Sequence, residues 1–274
     1  MRNVLKLTNR YIVLVTVLIL YSLISNVYAV IFAVGRGVNY AGLIFAALLL
    51  FLMTAAFFAG WFKMIKIAVT EPEREDANSL IKYFPEGVGE YFLSVLGMMF
   101  KIVIIFAILG FIAFLLGKNY IGNPNIDFQK IAHFGSDTAK MREYILGLTP
   151  TQIMQLTKWN FLFMAYSLIS YFLIFLYSPA LVFKSKNPFI AFFKSLQDLF
   201  GRKFLKTLAV FALIIFVNCI ISVFSVIFGS NAIAGFIITL GGFYVFTASA
   251  VGLFWYYYNN FVKSQIGQNV DIKI

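Results

Sequence analysis

The sequence is poor in most of what soluble chemistry uses. It has one cysteine, Cys219, and one histidine, His133, in 274 residues, and only 12% of its side chains are charged. A single cysteine excludes an internal disulfide and a CxxC metal or redox motif. A lone histidine leaves a histidine-based metal centre short of ligands, so neither a metal nor another cofactor is expected. No Walker A or GxGxxG pattern occurs, so any energy coupling would need another subunit. His133 lies near Ser136 and Asp137, but neighbours in sequence do not make a catalytic triad, and no enzyme activity is expected. The acidic cluster Glu71, Glu73, Glu75 and Asp76 reads as a solvated turn rather than a cation site. Acidic residues are few overall, 11 against 22 Lys and Arg. In a soluble chain that balance points to nucleic acid. Here the basic residues fall between long apolar runs, where they orient helices and meet anionic headgroups, so no nucleic-acid partner is expected.

What the chain has in excess is apolar surface. It is 61% hydrophobic, with 33 Phe and 15 Tyr, against roughly 45–50% apolar residues in soluble domains. A soluble fold of this size cannot hide that much, so the solvent is lipid. Six runs reach the length of about 20 residues that a membrane-spanning helix needs: 11–34, 39–62, 92–116, 161–183, 207–228 and 232–258. No alternating ten-residue pattern suggests a barrel, and only closed backbone hydrogen bonding survives in lipid. The expected fold is therefore all-α, a single polytopic domain over residues 1–274 with an external loop at 117–160. The first run has a basic start and a small-residue pair, Val27 and Ala29, in the manner of a signal peptide. Its continuation to Val34 exceeds the usual 7–15-residue apolar region, so a retained span is expected.

Sidedness follows from the basic residues. Fifteen Lys and Arg fall in the two termini and in the loops 63–91 and 184–206, and six fall in the opposite loops. That asymmetry places both termini in the cytoplasm of a plasma membrane. Trp61, Trp159 and Trp255 stand near span ends, where an interfacial aromatic belt is expected.

Three local signals add detail. Asn187-Pro188 is a cap followed by proline at the first helical position. Phe189, Phe192, Phe193, Leu196 and Phe200 follow at helical spacing, with Lys194 and Asp198 on the other side. This predicts an interfacial amphipathic helix between spans four and five, turning at Gly201 beside Arg202, Lys203 and Lys206. Thr149-Pro150-Thr151-Gln152 is a capping box. Residues 137–146 can form a short helix, and Asn123-Pro124-Asn125 reads as a turn. Ile81-Lys82-Tyr83-Phe84 aligns with Ile190-Ala191-Phe192-Phe193, which hints at a duplicated hairpin or at convergent aromatic anchoring.

With Phe84-Pro85-Glu86-Gly87-Val88-Gly89-Glu90-Tyr91 and Ser178-Pro179-Ala180 through Leu196 to Phe204, the chain resembles a broad group of prokaryotic six-helix membrane proteins. The membrane domain found beside some glycerophosphodiester phosphodiesterases belongs to that group. The resemblance covers spans two to five. It implies architecture and carries no catalytic residue across, because no hydrolase domain is appended.

The predicted spans contain no Asp, Glu or His, which argues against a proton relay. Lys101 is their one charge, placed either to snorkel to the cytoplasmic headgroups or to face a polar cavity. Asn218, Ser222 and Ser225 share one helix face, suited to interhelical hydrogen bonds more than to a transport path. Ala55, Ala56, Ala59 and Gly60 permit close helix packing. The expected role is a non-enzymatic accessory, scaffold or envelope-maintenance component working through lipid and protein contacts. Its expected partners are anionic lipid headgroups and a protein partner or a second copy. The alternative is a transporter or permease subunit driven by a partner, with Lys101 and Asn218 lining its path.

Overall fold

The structure is a computed structural model that describes residues 2–34, 40–72, 79–123, 137–229 and 231–263. His133, Asn125, Glu73, Glu75 and Asp76 lie outside these residues. Among the described residues every regular element is helical. The elements are α1 (Arg2–Arg10), α2 (Val13–Val34), α3 (Tyr40–Thr70), α4 (Tyr83–Tyr120), α5 (Thr138–Leu146), α6 (Pro150–Ile174), α7 (Tyr177–Phe183), α8 (Pro188–Leu199), α9 (Phe204–Phe228) and α10 (Ala232–Tyr257). A 3₁₀ turn, Ser79–Lys82, precedes α4, and a π-helical turn, Tyr258–Val262, follows α10. Six stretches are long and apolar enough to cross a membrane. The protein is an all-α, polytopic membrane chain.

Helix starts follow the capping signals. The Thr149 backbone N–H donates to Gln152 Oε1 at 2.9 Å and the Gln152 N–H to Thr149 Oγ1 at 3.3 Å, a complete capping box before α6. The Asp137 carboxylate accepts from the Lys140 N–H at the start of α5, and this bond, with the Lys140 side chain, holds its pKa below the ordinary carboxylate value. Asn187 Oδ1 accepts from the Phe189 N–H at 2.8 Å, with Pro188 at the first position of α8. Asn231 caps α10 in the same way.

Helix breaks are equally local. The run expected at 161–183 divides at residues 175–176 into α6 and α7. Pro179 has no N–H to offer the carbonyl of Phe175, and its ring crowds that carbonyl. Pro85, by contrast, sits in the first turn of α4, where the missing N–H costs nothing. The chain therefore runs through Pro85, Gly87 and Gly89 as helix, nine residues earlier than the expected start at 92. As a result Ile81–Phe84 forms the 3₁₀ turn and helix start, whereas Ile190–Phe193 lies inside the separate helix α8.

The chain forms two compact units, one of Met1–Phe100 with Ile174–Ile274 and one of Lys101–Leu173. In the smaller unit, α4 and α6 pair through aromatic rings. The Tyr166 hydroxyl donates to the Phe106 carbonyl at 2.9 Å, Phe106 packs edge-on against Tyr166 and Tyr171, and Trp159 covers Gly117.

In the larger unit the fully buried side chains gather at one end of the bundle, among them Trp61, Met64, Ile65, Leu80, Tyr91, Leu176, Tyr177, Leu181, Phe254 and Tyr257. Toward the other end large apolar residues stand exposed, such as Val27, Ile31, Ile44, Val226 and Ile233. That division suits a protein whose outer helix faces meet lipid chains rather than water. α4 alone, with 38 residues, is about 57 Å long at 1.5 Å per residue. It exceeds a hydrocarbon core of about 30 Å, so one of its ends has to lie outside the lipid chains.

Two of the tryptophans expected in an interfacial belt are instead buried. Trp61 Nε1 donates to the Leu14 carbonyl at 3.1 Å, and its ring stacks with Phe57 and Phe246. Trp159 Nε1 donates to the Gly122 carbonyl at 3.0 Å. A buried indole N–H needs an acceptor, and carbonyls near helix ends supply one.

Candidate functional site

The closed end of the larger unit carries a seam of charge. Lys63, on the last part of α3, is 2.6 Å from Glu90 and 3.3 Å from Glu86, both on the first turns of α4. Glu90 also meets Lys186, in the link between α7 and α8, at 2.9 Å. Lys66, one turn along α3 from Lys63, donates to the Tyr91 hydroxyl at 3.0 Å and stands over its ring, as Lys186 does. The Lys63 side chain is 12% exposed and that of Glu90 22%, so these ions are largely taken out of water.

What brings them together is the close crossing of α3 and α4. A Cβ added to Gly87 would lie 2.5 Å from Lys63 Cβ and 2.8 Å from the Ala59 carbonyl oxygen. A Cβ on Gly60 would lie 2.8 Å from the Phe84 carbonyl oxygen. Only glycine lets the two backbones approach this closely. The small residues of the second span thus serve the packing expected of them.

A second pair completes the seam. Lys184 Nζ reaches both oxygens of Asp198 at 2.8 Å, and each side chain is 13% exposed. The Tyr257 hydroxyl donates to Asp198 at 2.5 Å. The end of α7, helix α8 and the end of α10 are thereby tied by one carboxylate. The sequence leaves open which side of α8 meets the bundle, and this carboxylate decides it. Asp198 turns inward, and Lys194 is half-buried and directed to the Lys184 carbonyl at 3.5 Å. Ala191, Ser195 and Leu199 form the buried stripe, while Phe189, Ile190, Phe193 and Phe200 are exposed. The helix is amphipathic as predicted, and its aromatic side is the outer one. Small residues allow α8 to lie close against the bundle, and the large rings are left to face outward.

The residues singled out from sequence fall elsewhere. Lys101 is half-buried on α4. Asn218 Nδ2 donates to the Ile214 carbonyl, the Ser222 hydroxyl to the Asn218 carbonyl and the Ser225 hydroxyl to the Ile221 carbonyl. All three bonds stay within α9 rather than crossing to another helix as expected. Arg202 is exposed. Lys203 donates to the Asn260 carbonyl in the π-helical turn, and Lys206 to Asn260 Oδ1 at 3.0 Å. Lys203 also stands over the Phe261 ring and Lys206 over that of Tyr256. Lys63, Glu90 and Lys184 escape sequence reasoning because each sits just beyond a span, where a charge reads as solvated, and Asp198 because it lies on the side of the amphipathic helix away from most of its phenylalanines. The available signal was the rarity of acid: Glu90 and Asp198 are two of only 11 acidic residues, and both sit among apolar neighbours.

Chemically, the seam is a set of engaged ions. Glu90 is held by Lys63 and Lys186, and Asp198 by Lys184 and Tyr257. Among the described residues no buried side-chain donor or acceptor lacks a partner. Such an arrangement fixes helices relative to one another. No family model, curated protein or solved structure matches the chain.

Proposed function

We propose that this protein is a non-enzymatic component of a prokaryotic cytoplasmic membrane, an accessory, scaffold or envelope-maintenance protein that works through lipid and protein contacts. On this reading both termini are cytoplasmic and α8 lies in the headgroup plane of the inner leaflet. The observation that supports it best is the two-sided construction of α8. Its small inner stripe and Asp198 hold it to the bundle, while Phe189, Ile190, Phe193 and Phe200 face outward next to exposed Arg202. Aromatic rings beside a basic residue suit the boundary of an anionic leaflet. The fixed seam beneath makes that face a rigid platform. The likeness to the membrane domain found beside glycerophosphodiester phosphodiesterases remains, in this proposal, one of architecture. The transporter alternative draws less support, because Asn218 and Ser222 direct their donors to their own helix.

Reconstitution in nanodiscs tests the reading. Replacing part of the phosphatidylcholine by phosphatidylglycerol should raise the melting temperature, and Arg202→Gln should remove part of the rise. A spin label at Phe193 should report headgroup depth. A melting temperature indifferent to anionic lipid, or a fully aqueous label at Phe193, overturns the proposal.

A further inference from the structure

An apolar groove of about 250 Å³ runs between α1, α9 and α10 in the larger unit. On α9 its wall extends from Val210 to Val217, and on α10 from Tyr256 to Tyr244, each as one helical stripe. Val4 and Leu5 of α1 form the third side. The hydroxyls of the two tyrosines are both engaged in hydrogen bonds. That of Tyr256 is paired with Thr207 at 2.8 Å, and that of Tyr244 donates to Asn9 at 2.5 Å. The lining is otherwise ring faces, methyl groups and the gaps left by Ala248 and Gly252, with the Ser249 side chain a small polar group on the α10 wall.

Its dimensions select an occupant. Tyr244 and Tyr256 are twelve residues apart on α10, roughly 18 Å at 1.5 Å per residue. One leaflet's share of a ~30 Å hydrocarbon core is about 15 Å. The volume is below the roughly 300–1,000 Å³ of pockets that enclose whole small molecules. A narrow, flexible apolar chain fits that description, with its polar end left outside. Cations flank the groove. Lys206 lies one turn from Val210 and over the Tyr256 ring. Lys6 follows Leu5 on the opposite bank, and both lysines are exposed. Lys206 spends one donor on Asn260 and has two more to offer.

We propose that this groove holds one acyl chain of an anionic phospholipid, whose phosphate sits at Lys206 with Lys6 supplying charge from the other bank. The inference rests on the lipid-contact reading above and deepens it, from a membrane surface that touches lipid to a discrete site that retains one molecule.

Native mass spectrometry of the full chain, released from micelles containing equal phosphatidylglycerol and phosphatidylcholine, tests it. The expected result is one phosphatidylglycerol retained per chain in preference to phosphatidylcholine. Lys206→Gln and Lys6→Gln should each reduce that preference about fivefold, the worth of one basic residue near an anionic surface. Ala248→Phe, which places a ring in the groove, should abolish retention. Because that variant can also fail to fold, phosphatidylglycerol with a diazirine in its acyl chain gives a second reading on the wild type. Cross-links on α1, α9 and α10 support the site, and cross-links confined to other helices overturn it. Equal retention of phosphatidylcholine, a lipid retained by folded Ala248→Phe, or a dimer that seats a second chain in the groove likewise overturns it. Should Arg202→Gln lose its response to anionic nanodiscs while folded Ala248→Phe keeps its lipid, the groove assignment fails and the surface reading stands.

Discussion

Asp198 offers the sharpest test of how the closed end of the bundle is held. It accepts three hydrogen bonds, two from Lys184 at 2.8 Å and one from Tyr257 at 2.5 Å. With both ions 13% exposed, this is a mostly buried pair. Removing one partner of such a pair costs about 3–5 kcal/mol, because the other charge is left without compensation. Asp198→Ala should therefore destabilise by about that amount, and Lys184→Met by a similar one. Tyr257→Phe removes one bond to a charged acceptor and should cost about 1.5–3 kcal/mol. Lys184→Met combined with Asp198→Ala removes both charges together and should recover much of the loss, since apolar replacements of buried pairs are often neutral. The two single charge variants and the double close a double-mutant cycle, in which the double is expected to lose clearly less than the sum of the two single effects. Thermal unfolding in a single detergent, followed by tryptophan fluorescence, reads the series. At about 2–4 °C per kcal/mol for a chain of this size, Asp198→Ala should lower the midpoint by about 6–20 °C. An Asp198→Ala protein that melts with the wild type refutes the lock. So does a double variant that loses the sum of the two single effects.

Three further outcomes follow from named contacts. Gly87→Ala places a Cβ 2.5 Å from Lys63 Cβ and should destabilise by about 1–3 kcal/mol, whereas Gly89→Ala meets nothing within 4 Å and should be neutral or gain up to about 1 kcal/mol of helix propensity; equal melting temperatures would refute the close crossing of α3 and α4. In a Cys219→Ala background, a membrane-impermeant maleimide should label Lys140→Cys in intact cells and Lys263→Cys only after permeabilisation, as the fifteen-to-six distribution of Lys and Arg requires, and the opposite pattern refutes that topology. Lys101→Met should insert at least as well as the wild type, because removing a charge from a half-buried span position lowers the cost of membrane insertion; a chain that inserts less well refutes that reasoning.

Several features were determined by sequence alone because their causes lie within a few residues. The six apolar runs demand helices, since lipid offers no other partner for backbone N–H and C=O groups. The caps at Asp137, Thr149 and Asn187 act on the next turn of chain, and each is present with the bonds its residue types dictate. The break that Pro179 makes at residues 175–176 is just as local in its cause, although the apolar run 161–183 by itself reads as unbroken. The existence of an amphipathic helix at 188–199 was readable for the same reason. Its orientation was not, because in a membrane the apolar face of a helix meets either protein or lipid, and periodicity is the same in both cases. Only packing decided that Ala191, Ser195 and Leu199 face inward and Phe189 and Phe193 outward. The seam was hidden for a related reason. Lys63 and Glu90 are 27 residues apart in sequence and Asp198 and Tyr257 are 59 apart, so no local pattern joins them. Their pairing follows from how closely α3 crosses α4 at Gly60 and Gly87, and from where the break at residues 175–176 lets α7 and α8 turn. Tertiary structure brought those charges out of water together, and once there each needed a partner of opposite sign.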